Sequence, residues 1–305
     1  MRRPLSRQQL RAIFAQKEYE KEKKQRRGRF IKGGLAALGT QTVLGLGSQA
    51  VGGHIRSKFY AGSTSDRSVK FANKVIRDMG LQKEVRAYTG SGAFKIIGNM
   101  TRKSVGLNKI MATLTQHVAY SSPLYFPGKM LKGRKFGVIS SGFMDDEAII
   151  LHELGHHIDY RKFGQVKMML RIFSPLTALV AVGASHAAYK HLIQKRNRTN
   201  VDNRMLKYNK FVIDNAPLVI GIGASPILWQ EAKASLLAIR KGRKYGISVG
   251  RSLKTLGPAY ASYAMVLSAL PLALYSYQLI AGKFSKNIEE KIKLKKMEKK
   301  LKKKR

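Results

Sequence analysis

The chain has 305 residues, enough for one or two domains with a sizeable core, and a formal net charge of +41. That charge predicts attraction to phosphates, whether of nucleic acid or of anionic lipid, and does not choose between them. The absence of cysteine excludes disulfides, thiolate catalysis and cysteine-ligated zinc, so any metal would be held by histidine and carboxylate groups.

Residues 1–32 read as a basic N-terminal arm. Ser6 and Gln9 form a capping-box pattern, and Leu10, Ile13 and Phe14 give a short apolar stripe, so an amphipathic helix is predicted at its start. The remainder to Arg29 is mostly charge, which suits a solvated tail as well as a surface-binding one. Residues 33–54 carry no Asp, Glu, Lys or Arg, and about 20 residues are enough to cross a bilayer. Gly34, Gly39, Gly45, Gly47, Gly52 and Gly53 lower the hydrophobicity, which keeps an interfacial or packed hairpin as the alternative to a transmembrane segment.

Residues 55–171 turn globular. Val69, Ala72, Val75, Ile76 and Met79 fall at helical spacing, with Gly80 placed to stop the helix. Val85–Thr89 and Ala93–Ile97 read as short strands, and Pro123 and Pro127 mark a loop. Lys135–Ser140 reads as a strand directly ahead of the next helix; placed at a sheet edge, it could pair with an extended peptide through main-chain hydrogen bonds.

That next helix carries the most informative stretch, Ile149–Tyr160, which contains H-E-x-x-H. Its apolar spacing and the acidic run Asp145-Asp146-Glu147 at its start predict a helix, which puts His152 and His156 on one face one turn apart. A catalytic zinc takes three protein ligands and keeps a fourth tetrahedral position for water, so two such imidazoles are two of the three. Glu153 is the predicted general base. Gly155 allows another element to approach closely.

Beyond this helix, 172–229 reads as a transmembrane hairpin: Ile172–Ala188 has only His186 as an ionisable group, and Phe211–Trp229 is apolar apart from Asp214 and Asn215. Pro217 and Pro226 also permit a re-entrant or buried helix in the second arm. Residues 230–258 follow as a helix and loop, and 259–282 as the clearest span, uncharged from Tyr260, with Pro271 inside it. In the lysine-rich tail 283–305, Ile288, Ile292, Met297 and Leu301 are loosely helical in spacing, as in helices held by anionic lipid, although a solvated tail fits equally.

A hairpin returns the chain to the membrane face it left, which brings Glu231 back to the side of His152 and His156 and makes it the favoured third ligand. Asp159, Asp202, Asp214 and His191 are the rivals. Ala234 and Ala238, on the same helical stretch as Glu231, are small enough to allow close packing on the metal helix.

His152-Glu153-x-x-His156, two apolar segments, Glu231-x-x-Ala234-Ser235-x-x-Ala238 and a final apolar span with Ala259-Tyr260 near its start together resemble the YugP-like neutral zinc metallopeptidases, which are membrane gluzincins. The resemblance covers roughly Ser68 to Ala281. It implies a mainly α fold with a small β-sheet, in which a zincin-like (gluzincin) catalytic domain is integrated with a transmembrane helix bundle. It also implies a Zn2+-dependent endopeptidase acting on protein or peptide substrates, with metal ligands His152, His156 and Glu231 and base Glu153. The chain departs from related membrane gluzincins in having Ser235 where an Asp usually stands, and in its long basic arms.

The competing function class is a basic nucleic-acid-binding or scaffold protein with an incidental or degenerate H-E-x-x-H. Against it, the arms lack aromatic residues interleaved among the cations, and the uncharged spans suit an integral membrane protein better. If all four segments span, both termini lie on one side and the metal site on the other, and the Lys/Arg excess of the arms and the 190–210 loop predicts a cytoplasmic position for the arms. If residues 33–53 lie in the interface instead, the site shares the cytoplasm with the N-terminal arm.

Overall fold

A computed structural model describes residues 7–59, 66–101, 124–126, 137–142, 144–195 and 202–303; Ser6, Pro123, Pro127 and the first two residues of the Lys135–Ser140 stretch lie outside the described residues. The described chain is mainly helical. Its elements are α1 (Arg7–Phe59), α2 (Arg67–Asp78), β1 (Val85–Tyr88), α3 (Gly90–Thr101), β2 (Leu124–Phe126), β3 (Gly137–Ser140), α4 (Glu147–Lys195), α5 (Asn203–Asp214), α6 (Ala216–Lys244), α7 (Val249–Ala281) and α8 (Phe284–Lys302). They form two compact units, one of Leu46–Ile172 with Ser225–Met265, the other of Met1–Gly45, Phe173–Ala224 and Val266–Arg305.

In the unit that contains the H-E-x-x-H segment, α2 lays Val69, Ala72, Val75 and Ile76 against Val85 and Ala87 of β1, Ile139 of β3, and Ile150, Leu151 and Leu154 of α4. Gly80, at φ 69°, ends α2 in the left-handed region, where the Gly80 N–H donates to Arg77 and the Leu81 N–H to Ile76. The acidic run ahead of α4 caps two helices. Asp146 accepts from the N–H groups of Ala148 and Ile149 at 2.8 and 3.1 Å, and Asp145 accepts from Ser68 N–H of α2 at 2.8 Å.

Two expectations about the sheet are corrected. Ala93–Ile97 is helical, inside α3: the Thr89 side chain accepts from Gly92 N–H at 3.2 Å at the start of the helix, and Ala93 and Ile97, one turn apart, are buried together with Val138 and Phe126. The strand ahead of α4 is not an edge. The order is β1-β3-β2, with β1 parallel and β2 antiparallel to β3, so β3 is bonded on both sides. The outer side of β1 is closed too, because the Asn73 amide donates to Ala87 C=O at 2.9 Å and accepts from Ala87 N–H at 3.0 Å, as a neighbouring strand would.

In the other unit, α4 crosses α6 closely, since a Cβ on Gly223 would lie 2.5 Å from Ala178 Cβ and 3.0 Å from Ser174 O. The far end of that hairpin is buried with the C-terminal helix: Tyr189 of α4, Leu206 and Ile213 of α5 and Ile288 of α8 form one cluster, with Ile292 against it. The first half of the tail's apolar stripe, Ile288 and Ile292, is therefore packed against protein, and Leu294 is buried as well. Asp214 caps α8, accepting from Ser285 N–H at 3.0 Å and Ser285 O–H at 2.6 Å. Helix α1 runs antiparallel to α7 and α8 here: Gly33 abuts Ala281, Thr40 and Ser276 share a hydrogen bond of 2.9 Å, and Arg29 and Lys293 pair with Glu290 and Glu22.

Among the described residues one helix, α7, is by itself long and apolar enough to cross a membrane. Helices α5 and α6 pass the same test together, bent by 69° about Asn215, as a broken span or a re-entrant loop. Residues 33–54 of α1 do not pass; Gln41, Gln49 and the glycines dilute the apolar content. Gly33, on the contact face, accommodates α7 instead.

Candidate metal centre

Helix α4 presents His152 and His156 one turn apart, with ring centroids at 4.7 Å, and α6 presents Glu231 between them. The two helices meet at their small residues. A Cβ on Gly155 would lie 2.6 Å from Ala234 O and 2.9 Å from Ala234 Cα, and Ala234 is wholly buried. This crossing sets the depth of Glu231, whose Oε2 stands 3.1 Å from His152 Nε2 and 3.4 Å from His156 Nε2.

His152, His156 and Glu231 are buried, and one donor atom from each lies within 4.8 Å of the others, a group that can hold a metal ion. Donors about 2.0–2.1 Å from a tetrahedral ion are about 3.3 Å from one another, which the two distances from Glu231 Oε2 approximate. A two-imidazole, one-carboxylate set is also the donor chemistry that a divalent ion of borderline softness prefers. The carboxylate and the two imidazoles face one another within hydrogen-bonding distance. Burial opposes a charge on His152, but its bond to Glu231 and the field of Glu153 outweigh it, and its pKa lies above the ordinary histidine value.

The ligands are held from behind. Ser235, one turn beyond Glu231 on α6, places its Oγ 3.0 Å from His152 Nδ1. A hydroxyl can donate or accept, so it can serve either tautomer of the ring, whereas a carboxylate at that position would only accept. Arg171 donates to the other Glu231 oxygen, Oε1, at 2.5 Å. His156 Nδ1 is buried without a hydrogen-bond partner.

Glu153 is buried in the same helix turn. Tyr263 of α7 lies close enough to Glu153 and Glu231 to interact electrostatically with both. On the sheet side, His157 takes Tyr125 of β2 through Nδ1 at 3.0 Å and faces Glu84 through Nε2 at 3.6 Å, and Arg161 pairs with Glu84 at 2.8 Å. These contacts anchor α4 to the short strands.

The rival ligands are engaged or placed elsewhere. Asp159 accepts from Lys167 at 2.7 Å and pairs with Lys233; burial raises its pKa, but the two ammonium groups hold it below the usual carboxylate range. Asp202 caps α5 through Arg204 N–H, Asp214 caps α8, and His191 is exposed. Sequence spacing does not reveal Arg171, Tyr263 or the role of Ser235. The only signal for Ser235 was its departure from a familiar pattern; Arg171 and Tyr263 stand 15 and 107 residues beyond His156 with no motif around them.

No family model matches the chain, and neither a curated protein nor a solved structure matches it. The centre is therefore read from its own geometry.

Proposed function

We propose that the chain is a membrane-embedded zinc endopeptidase of the gluzincin kind, a diverged relative of the YugP-like neutral metallopeptidases. The observation that carries this reading is the buried carboxylate oxygen of Glu231, 3.1 and 3.4 Å from two imidazole nitrogens one helical turn apart, with Glu153 in the same turn. A scaffold protein would have no use for a carboxylate buried between two imidazoles, since such burial is costly unless the charge is spent on a partner.

His152, His156 and Glu231 would hold the ion. Zinc in a three-ligand site supplies Lewis acidity and lowers the pKa of water to about 7. Glu153 then acts as the proton carrier: it takes a proton from the attacking water and delivers it to the leaving nitrogen of the peptide. Tyr263, which interacts with both Glu153 and Glu231, supplies a hydroxyl for charge that develops on the substrate carbonyl. Ser235 keeps the His152 ring in position.

The membrane part of the reading is supported by inverted polarity. Only 11% of the most apolar window of α7 is buried, and Leu176, Leu179, Val180, Leu218, Ile222, Leu272 and Leu279 are exposed while Asn209, Asp214 and Ser285 are buried. Large apolar side chains facing outward while polar ones are buried are what a hydrocarbon environment selects.

The test is metal analysis of the purified chain together with proteolysis of an unfolded substrate, comparing the parent with Glu153→Gln. Zinc near one per chain in both, with hydrolysis lowered about 10²- to 10⁴-fold in the variant, is the expected result. Undiminished hydrolysis by Glu153→Gln would end the peptidase reading.

A further inference from the structure

We infer that Arg171 is a positioning residue which divides the carboxylate of Glu231, holding Oε1 so that a metal ion is offered Oε2 alone. The inference rests on the metal site proposed above. Its geometric basis is that the two oxygens have separate tasks in the structure: Oε1 receives the Arg171 guanidinium at 2.5 Å, while Oε2 faces both imidazoles at 3.1 and 3.4 Å.

The separation has a chemical consequence. A carboxylate free at both oxygens can bind a metal through two atoms, filling the position that a hydrolytic site must keep open. With Oε1 committed to a charge-assisted hydrogen bond, that option is closed. Ions that favour carboxylate-rich, six-coordinate shells lose most by this, and an ion content with four ligands loses least. Glu231 is only 1% exposed, so water does not compete for Oε1.

The contact joins residues far apart on one helix. His156 and Arg171 are 15 residues apart on α4, so a cation from about four turns away reaches the rear of a ligand. Between them Lys167 donates to the backbone carbonyl of Asp159 at 2.7 Å, and Gln230 of α6, next to Glu231, donates to Lys167 C=O at 3.0 Å.

The experiment uses the full chain in detergent, loaded with zinc or with cobalt(II), and compares the parent with Arg171→Met and Arg171→Lys. Zinc affinity is read by chelator competition and coordination number by the intensity of the cobalt visible bands. Arg171→Met is expected to weaken zinc about 10- to 100-fold, the usual effect of losing a group behind a ligand, and to give the weaker bands of a five- or six-coordinate ion. Arg171→Lys, which keeps a cation against Oε1, is expected to retain the four-coordinate spectrum. If Arg171→Met does not fold, Arg171→Gln replaces it under the same criteria. A parent that binds zinc and cobalt while the uncharged variant keeps its affinity and spectrum overturns this inference and leaves the metal site standing. A parent that binds neither ion overturns both.

Discussion

Gly155 lies directly on the backbone of Ala234, with room for no side chain: a Cβ there would sit 2.6 Å from the Ala234 carbonyl oxygen. This contact brings α4 and α6 close enough for one carboxylate to reach two imidazoles. Gly155→Ala is therefore expected to cost about 1–3 kcal/mol through overpacking and to weaken metal binding with it. Gly183→Ala, on the same helix where nothing lies within 4 Å, is the control and is expected to be neutral or slightly stabilising. Thermal melts and zinc titration of the two variants check this; equal behaviour would show that the crossing does not hold the site together.

Ser235 stands behind His152 at 3.0 Å. Ser235→Ala should weaken zinc by about 10- to 100-fold, since the ring loses the hydroxyl behind it, and Ser235→Asp should restore most of the loss. Chelator competition measures both. An alanine variant with parental affinity would reduce Ser235 to a packing residue.

Asp159 links α4 to Lys233 of α6 and to Lys167. Its carboxyl is held below the usual range, so the folded state binds its proton less readily than the unfolded state does. The sign follows: the contribution is complete above roughly pH 4, the ordinary carboxylate value, and is lost as pH falls through that value toward the lower folded one. Asp159→Asn should lower the melting temperature at pH 7, and the gap from the parent should narrow below about pH 4. A gap that widens on acidification would contradict the assignment.

The last turns of α4, helix α5 and the start of α8 are packed together where Tyr189, Leu206, Ile213 and Ile288 cluster, and Arg29 of α1 pairs with Glu290 beside them. Both arms and the 190–210 loop should therefore face the same side of a membrane. The chain has no cysteine, so Lys24→Cys, Lys195→Cys and Lys300→Cys each introduce one label site. In sealed vesicles an impermeant maleimide should label all three or none; a split result would refute this arrangement of helix ends.

The sequence by itself determined the parts of the site that depend on local spacing. His156 follows His152 by four positions, and a helix turns that interval into one face regardless of its surroundings. The same is true of α2, whose buried positions follow the 3.6-residue period, and of the capping of α4 by Asp146 in the acidic run. Glu231 was legible as well, because a returning hairpin constrains where the chain re-emerges and the small Ala234 and Ala238 mark a close crossing.

Only the tertiary structure decided the rest. Residues 93–97 read as a short strand and are a helix because Thr89 supplies an N-terminal cap and the apolar pair is buried one turn apart. The position of β3 in the middle of the sheet depends on β2 pairing from 11 residues upstream, which no period within β3 encodes. The start of the α8 stripe, Ile288 with Ile292, packs against Tyr189, Leu206 and Ile213, which are distant in sequence. Arg171 meets Glu231, 60 residues on, only because α4 and α6 pack together. Local periodicity records which way a side chain points from its own element; which oxygen of Glu231 meets a cation and which meets the imidazoles is settled by how two helices cross.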